Sequence, residues 1–218
     1  MNEPVSIDIY SDVVCPWCYV GKRRLERALI QLSAVPTQIT WRPFQLNPTM
    51  PVEGMDRGSY LEAKFGSLDA FRRLEEQVLA AGVTEGIDFA FERILKTPNT
   101  FLAHRLIWYA ARPARQDQVV DALFRGYFEQ GADIGSPSVL TGLAKSVGLD
   151  AAHMLAAQEG VAEVKAEEAA GHRLGIRAVP YFVLNKRYGI SGAQPVEVFV
   201  GAIEKIHAQR TEHVVSGK

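Results

Sequence analysis

The chain has 218 residues, 47% apolar and 22% charged, with a formal net charge of −1. That is core material for one large domain, or a domain with an insertion. Near-neutral charge gives no electrostatic ground for a nucleic-acid or anionic-membrane partner, and no stretch is apolar over a bilayer-spanning length. The opening Met1-Asn2-Glu3-Pro4 lacks the basic and apolar run of a secretory leader. Taken as a native start, it predicts work in the cytoplasm, where thiols are kept reduced.

Ile7, Ile9 and Tyr10 predict a first strand, which Ser11-Asp12 breaks. Leu25, Ala28, Leu29 and Leu32 then recur at helical spacing. Thr37–Pro43 alternates apolar and polar residues as a half-buried strand does, so a strand–helix–strand unit with a parallel pair is expected. From about Arg57 to Gly148 the pattern is helical. Its apolar faces are Leu68, Phe71, Leu74, Val78 and Leu79; Leu102, Leu106 and Tyr109, capped by Asn99 or Thr100; Val120, Leu123, Phe124 and Tyr127; and Val139, Leu140, Leu143 and Val147. Helical character resumes from Asp150 to Leu174. Tyr181–Leu184 and Tyr188–Ile190 flank Asn185-Lys186-Arg187 as a hairpin. A last helix carries Val196, Phe199, Val200, Ile203 and Ile206 and ends in a frayed tail after His213. Arg23-Arg24, Arg72-Arg73 and Lys186-Arg187 read as solvated surface pairs. The ends belong together around a helical middle: one α/β domain from residues 1–52 and 150–218, interrupted by a helical insertion at 53–149.

Cys15-Pro16-Trp17-Cys18 holds the only two cysteines of the chain. They sit where the first strand hands over to a helix. A sulfur there meets unpaired backbone N–H groups and the positive end of the helix dipole, and both favour the thiolate that attacks disulfides. Pro16 suits the first turn because its missing N–H would be unpaired anyway. Cys15 is thus expected to be the exposed nucleophile and Cys18 the buried resolving thiol, able to close a disulfide by exchange. Other uses of the pair are weaker. Zinc needs further ligands, and His104, His153, His172, His207 and His213 show no tight spacing, so no metal is expected. A structural disulfide closing so small a loop constrains the unfolded chain least. Two inert buried cysteines remain a simple alternative.

Gly175-Ile176-Arg177-Ala178-Val179-Pro180 leads directly into the strand at Tyr181, where a proline belongs at a strand start or bulge. With the cysteine motif and Asp8…Asp12-Val13-Val14, Trp41-Arg42-Pro43-Phe44-Gln45-Leu46-Asn47-Pro48, Asn99-Thr100…Ala103-His104-Arg105-Leu106, Leu123–Phe128 and Ile190-Ser191-Gly192-Ala193-Gln194, the chain resembles the DsbA family over almost its whole length, and within it the FrnE-like branch. The resemblance implies a thioredoxin-like fold with an inserted helical domain, a cis bond before Pro180, and a Val179–Pro180 loop beside Cys15. There Val179 would pair with an extended substrate, and Pro16 and Trp17 would line its path. It implies a thiol–disulfide oxidoreductase or isomerase acting on peptide or small-molecule disulfides and thiols, with no bound cofactor, as a monomer or homodimer. Glutathione stays open as the reductant.

The same resemblance carries a second reading. Glutathione-dependent 2-hydroxychromene-2-carboxylate isomerases and kappa-class glutathione transferases share the insertion and the region matching Ser191–Gln194, but typically place serine where this chain has Cys15. A third reading is a peptide-binding chaperone with incidental cysteines. His104 reads as a hydrogen-bonded packing residue, and Asn99 and Thr100 as a helix cap.

Overall fold

The computed structural model describes residues 3–216, without the side chains of 68–70 and 210–216. Strand β1 (Val5–Ser11) leads through a short turn into helix α1 (Pro16–Gln31), and strand β2 (Thr37–Pro43) returns parallel to β1. Ile7 pairs with Ile39 and Ile9 with Trp41 in this ladder. α1 turns Cys18, Tyr19, Val20, Gly21, Lys22, Leu25 and Ala28 inward.

The middle of the chain is mostly helical, as its periodicity predicts, but one pairing was not foreseen. Strand β3 (Met55–Asp56) precedes α2 (Arg57–Phe65) and α3 (Leu68–Thr84). A 3-10 turn, Phe91–Arg93, then leads to β4 (Lys96–Thr97), which pairs antiparallel with β3. Two-residue strands leave no alternation to detect, so this clasp is invisible to pattern. α4 (Phe101–Ala110), α5 (Gln116–Phe128), α6 (Pro137–Ser146), α7 (Ala152–Ala156) and α8 (Val161–Arg173) follow. Thr100 is the first cap residue of α4, yet Asn99 does the capping: its Oδ1 accepts the Phe101 N–H at 2.9 Å.

The chain then closes the sheet. β5 (Tyr181–Leu184) runs antiparallel to β1, and β6 (Tyr188–Ser191) antiparallel to β5, giving the order β2-β1-β5-β6. The hairpin turn forms where expected, with Asn185 and Lys186 in the left-handed region. α9 (Val196–Ser216) packs on α1 and buries Val196, Phe199, Ile203 and Ile206. It continues past His213 to Ser216, where the sequence predicts a frayed tail; residues 217–218 of that tail lie outside the described ones.

One continuous apolar core joins sheet and helices, from Val5 and Ile9 through Tyr19, Leu106 and Phe124 to Phe182 and Phe199. Tyr19 stacks on Phe124 with ring centroids 5.0 Å apart, which ties α1 to α5. Burial of each such ring contributes about 1.5–3 kcal/mol. Two expectations about surface and core need correcting. On α3, Val78 is buried but Leu74 and Leu79 are exposed, while the side chain of Leu68 lies outside the described residues. That helix packs on α1 and α2, and part of its apolar face stays open. Arg23 and Arg24 are half-buried rather than solvated: Arg23 pairs with Glu26 and Asp121, and Arg24 with Glu85.

Candidate active site

β1 ends at Ser11, and the turn Asp12–Val14 delivers Cys15 to the cap position of α1, with Pro16 as its first helical residue. The turn is held by the Cys15 N–H donating to the Asp12 carbonyl at 3.0 Å, and the Cys18 N–H donating to the Cys15 carbonyl at 3.0 Å. Both cysteines are free thiols. Cys18 is 1% exposed, as predicted for the inner thiol, but Cys15 is only 6% exposed and is not the open nucleophile expected. The reason is the facing loop. The Cys15 thiol donates to the carbonyl of Val179 at 3.7 Å, so that residue screens the sulfur from solvent.

The Val179–Pro180 bond is cis. Gly21 lets this loop close onto α1, because a Cβ there would stand 3.1 Å from Pro180 Cγ and 3.2 Å from Phe182 Cζ. The Ser191–Gln194 segment braces it from behind. Gly192 N–H donates to the Pro180 carbonyl at 2.9 Å, and Arg24 Nη1 to the Ala193 carbonyl at 2.6 Å. Sequence distance is large, yet all six expected positions, Cys15, Pro16, Trp17, Cys18, Val179 and Pro180, meet at one end of α1.

Burial pushes the Cys18 thiol well above its ordinary range, and the neighbouring Cys15 sulfur adds to this, while the Ser11 side chain and Asp12 backbone pull the other way. Such a thiol stays protonated at neutral pH. Beside Cys15, a cavity of about 220 Å³ opens between the cysteine turn and α2–α3. Val14, Pro16 and Trp17 form one wall, Leu61, Phe71 and Val78 the other, and Arg57 and Lys64 also line it. Periodicity identifies Phe71 and Val78 as apolar helix positions, but nothing in one sequence says that they face the cysteines.

His104 adjoins the cysteine turn. It is 2% exposed, and its Nε2 faces Oδ1 of the fully buried Asp12 across 3.4 Å. The sequence reading of His104 as a packing residue omits this carboxylate neighbour. Among the described residues, no three His, Cys, Asp or Glu side chains converge as a metal site, and no helix is long and apolar enough to cross a membrane.

Comparison with known proteins agrees with this architecture. The family model "DSBA-like thioredoxin domain" matches residues 6–204. A probable DsbA oxidoreductase from Streptomyces coelicolor is 34% identical, with a TM-score of 0.83 over 92% of this chain and 89% of that one. A 2-hydroxychromene-2-carboxylate isomerase shares the fold at 14% identity and a TM-score of 0.70, covering 95% and 98% of the two chains. The cytosolic disulfide reductase DsbM from Pseudomonas aeruginosa, solved with glutathione, shares it at 17% identity and a TM-score of 0.62, covering 96% and 98%. With a mixed α/β thioredoxin-like fold and a helical segment between its halves, the chain belongs to the DSBA-like thioredoxin family.

Proposed function

We propose that this protein is a thiol–disulfide oxidoreductase of the FrnE-like branch, acting in the cytoplasm on peptide or small-molecule disulfides. The observation that carries the reading is the free Cys15 at the cap of α1, one turn from a buried free Cys18 and against the Val179 carbonyl. As a thiolate, Cys15 attacks one sulfur of a substrate disulfide. A Cys15–substrate disulfide forms and the other substrate sulfur leaves as a thiol. Cys18 then attacks the Cys15 sulfur, the Cys15–Cys18 disulfide closes and the second substrate thiol departs. Two electrons pass from protein to substrate, and two glutathione molecules, becoming glutathione disulfide, restore the dithiol.

The surroundings fit these steps. When Cys15 ionises or bonds a substrate, the Val179 carbonyl loses its thiol donor and is free to accept a peptide N–H. Pro16 and Trp17 border the adjoining apolar cavity, which receives a substrate side chain. Its 220 Å³ lies below the roughly 300 Å³ at which pockets for whole drug-sized ligands begin. Residues 53–149 act as an inserted cover supplying the far wall. The catalytic unit is a monomer or homodimer.

The direct test is mapping of modified sites after brief alkylation of the reduced protein. Label is expected at Cys15 first, with Cys18 modified at least about tenfold more slowly, because burial and a raised pKa both withhold its thiolate. Preferential label at Cys18 reverses the roles. The isomerase neighbour keeps a second reading alive. Glutathione-dependent isomerisation or conjugation by wild-type protein, without turnover of any disulfide, would replace the proposal.

A further inference from the structure

Glu85 is a buried acid in an unfavourable place. It directly follows Thr84, the last residue of α3, at the end of the helix dipole that favours cations. Its side chain is nonetheless only 2% exposed. Two arginines of α1 hold it there. Arg24 Nε donates to its Oε1 at 2.9 Å, and Arg27 Nη1 donates to its Oε2 at 2.8 Å. A buried ion pair is a weak source of stability, because desolvation offsets much of the attraction. What this pair fixes is the direction of the Arg24 guanidinium.

The other arm of that guanidinium reaches the brace behind the cis-proline loop. Arg24 Nη1 donates to the Ala193 carbonyl at 2.6 Å, and the preceding residue, Gly192, donates its N–H to the Pro180 carbonyl at 2.9 Å. Gln194 closes the same turn on itself, its Nε2 donating to the Ser191 carbonyl at 2.8 Å and its N–H to the Gly192 carbonyl at 2.9 Å. Those bonds leave the tie to α1 to Arg24. Gly21 lies three residues before Arg24, on the same helix face, and gives Pro180 room to approach. One face of α1 thus admits the loop and also fastens it. The Val179 carbonyl shares a peptide unit with the Pro180 nitrogen, so the hold on Pro180 decides how that oxygen stands to the Cys15 sulfur, 3.7 Å away.

We propose that Arg24, anchored on Glu85, is a positioning residue that selects peptide disulfides over disulfides without a peptide backbone. The proposal rests on the thiol–disulfide reading. Arg24 touches no reacting atom and acts through Ala193, Gly192 and Pro180. A peptide substrate has N–H groups to donate to the Val179 carbonyl, and it gains from having that oxygen held in place beside Cys15. A small disulfide with no N–H gains nothing from it, and meets the same carbonyl only as a screen over the sulfur. Loosening the loop therefore acts on the two substrate classes in opposite directions. Because Glu85 ends α3, a wall of the cavity beside Cys15, the loop is also fastened to the helical insertion.

Single-turnover oxidation of the reduced protein by a cystine-bridged peptide and by hydroxyethyl disulfide, which has no peptide N–H, tests this. Arg24→Leu is expected to lower the ratio of the peptide rate constant to the hydroxyethyl disulfide rate constant about fivefold, the worth of one peptide hydrogen bond. The rate with hydroxyethyl disulfide itself holds or rises. Glu85→Gln shifts the ratio the same way, and the double variant falls little further, because both residues act through one tie. Gly21→Ala presses on Pro180 from the helix side and gives the same signature. Alanine strengthens the helix it enters, so this arm decides the matter even if the Arg24 variant does not fold. A merely structural role would slow both substrates together. A parallel fall in both rates, or an unchanged ratio in folded variants, overturns the proposal. Wild-type protein that reacts with neither disulfide sinks the thiol–disulfide reading, and this proposal with it.

Discussion

Cys15→Ser is expected to reduce disulfide exchange to the uncatalysed background in an insulin turbidity assay, while leaving the fold in place. Serine keeps the shape at the cap of α1, but its hydroxyl does not ionise near neutral pH and cannot form the mixed disulfide. No other thiol can take over, because Cys18 is 1% exposed and its pKa is held well above the ordinary thiol value. Cys18→Ser is expected to behave differently. The first attack survives, and the product accumulates as a Cys15–substrate disulfide, visible as a mass increase that a strong reductant removes. The pair of variants therefore separates attack from release. A Cys15→Ser protein that still conjugates or isomerises a substrate with glutathione would show that the sulfur doing the work is the tripeptide's. A Cys15→Ser protein that still reduces insulin would place the chemistry elsewhere in the chain.

The cysteine turn was legible because its signals are local. The break at Ser11-Asp12, the proline at the first helical position and the spacing of two lone cysteines all act within one turn of backbone. The cis Val179–Pro180 bond and its place opposite Cys15 were legible only through the family resemblance, since no local rule joins residues so far apart in sequence. The periodic helices emerged for the same reason as the strands: α5 and α9 each bury one clear stripe, Val120, Leu123, Phe124 and Tyr127 in one and Val196, Phe199, Ile203 and Ile206 in the other.

What escaped depends on tertiary contact. The low exposure of Cys15 comes from the carbonyl of Val179, a backbone atom that no residue type announces. The β3–β4 clasp is two residues deep. Leu74 and Leu79 fit an apolar face and still stay exposed, because how much of a helix is covered is set by its neighbours. His104 gained its carboxylate partner only when α4 packed under the cysteine turn, bringing together residues from different blocks of the sequence.

Lys22 illustrates the same limit and carries the largest expected effect on stability. A lysine one turn after Cys18 invites a solvent-facing assignment, yet it is 2% exposed. Its ammonium bonds Glu26 one turn on, and approaches Asp117 at 3.3 Å and Asp121 at 3.7 Å on α5. Arg23 adds bonds to Glu26 at 2.9 Å and Asp121 at 2.8 Å, and Trp41 Nε1 donates to Asp117 at 3.3 Å. Lys22→Met keeps the aliphatic stem and its packing but takes the shared ammonium from Glu26, Asp117 and Asp121, leaving Arg23 to serve Glu26 and Asp121 and Arg125 to serve Asp121. Breaking a fully buried pair costs about 3–5 kcal/mol. These carboxylates keep partial access to water, so about 2–3 kcal/mol is expected here, or roughly 5–10 °C in the thermal midpoint of a chain this long. The loss should depend on pH. Burial works to raise the Glu26 carboxyl, but the bonds and charges of Lys22 and Arg23 outweigh it and hold the group below its ordinary 4.5. A depressed acid adds stability above that value and loses it as pH falls through the folded-state value. Without Lys22 there is less to lose, so the gap between wild type and variant should narrow as the solution is acidified below about 4.5. Thermal melts at neutral and acid pH measure this, and equal midpoints at neutral pH would show that the buried ammonium contributes nothing net to holding α1 against α5.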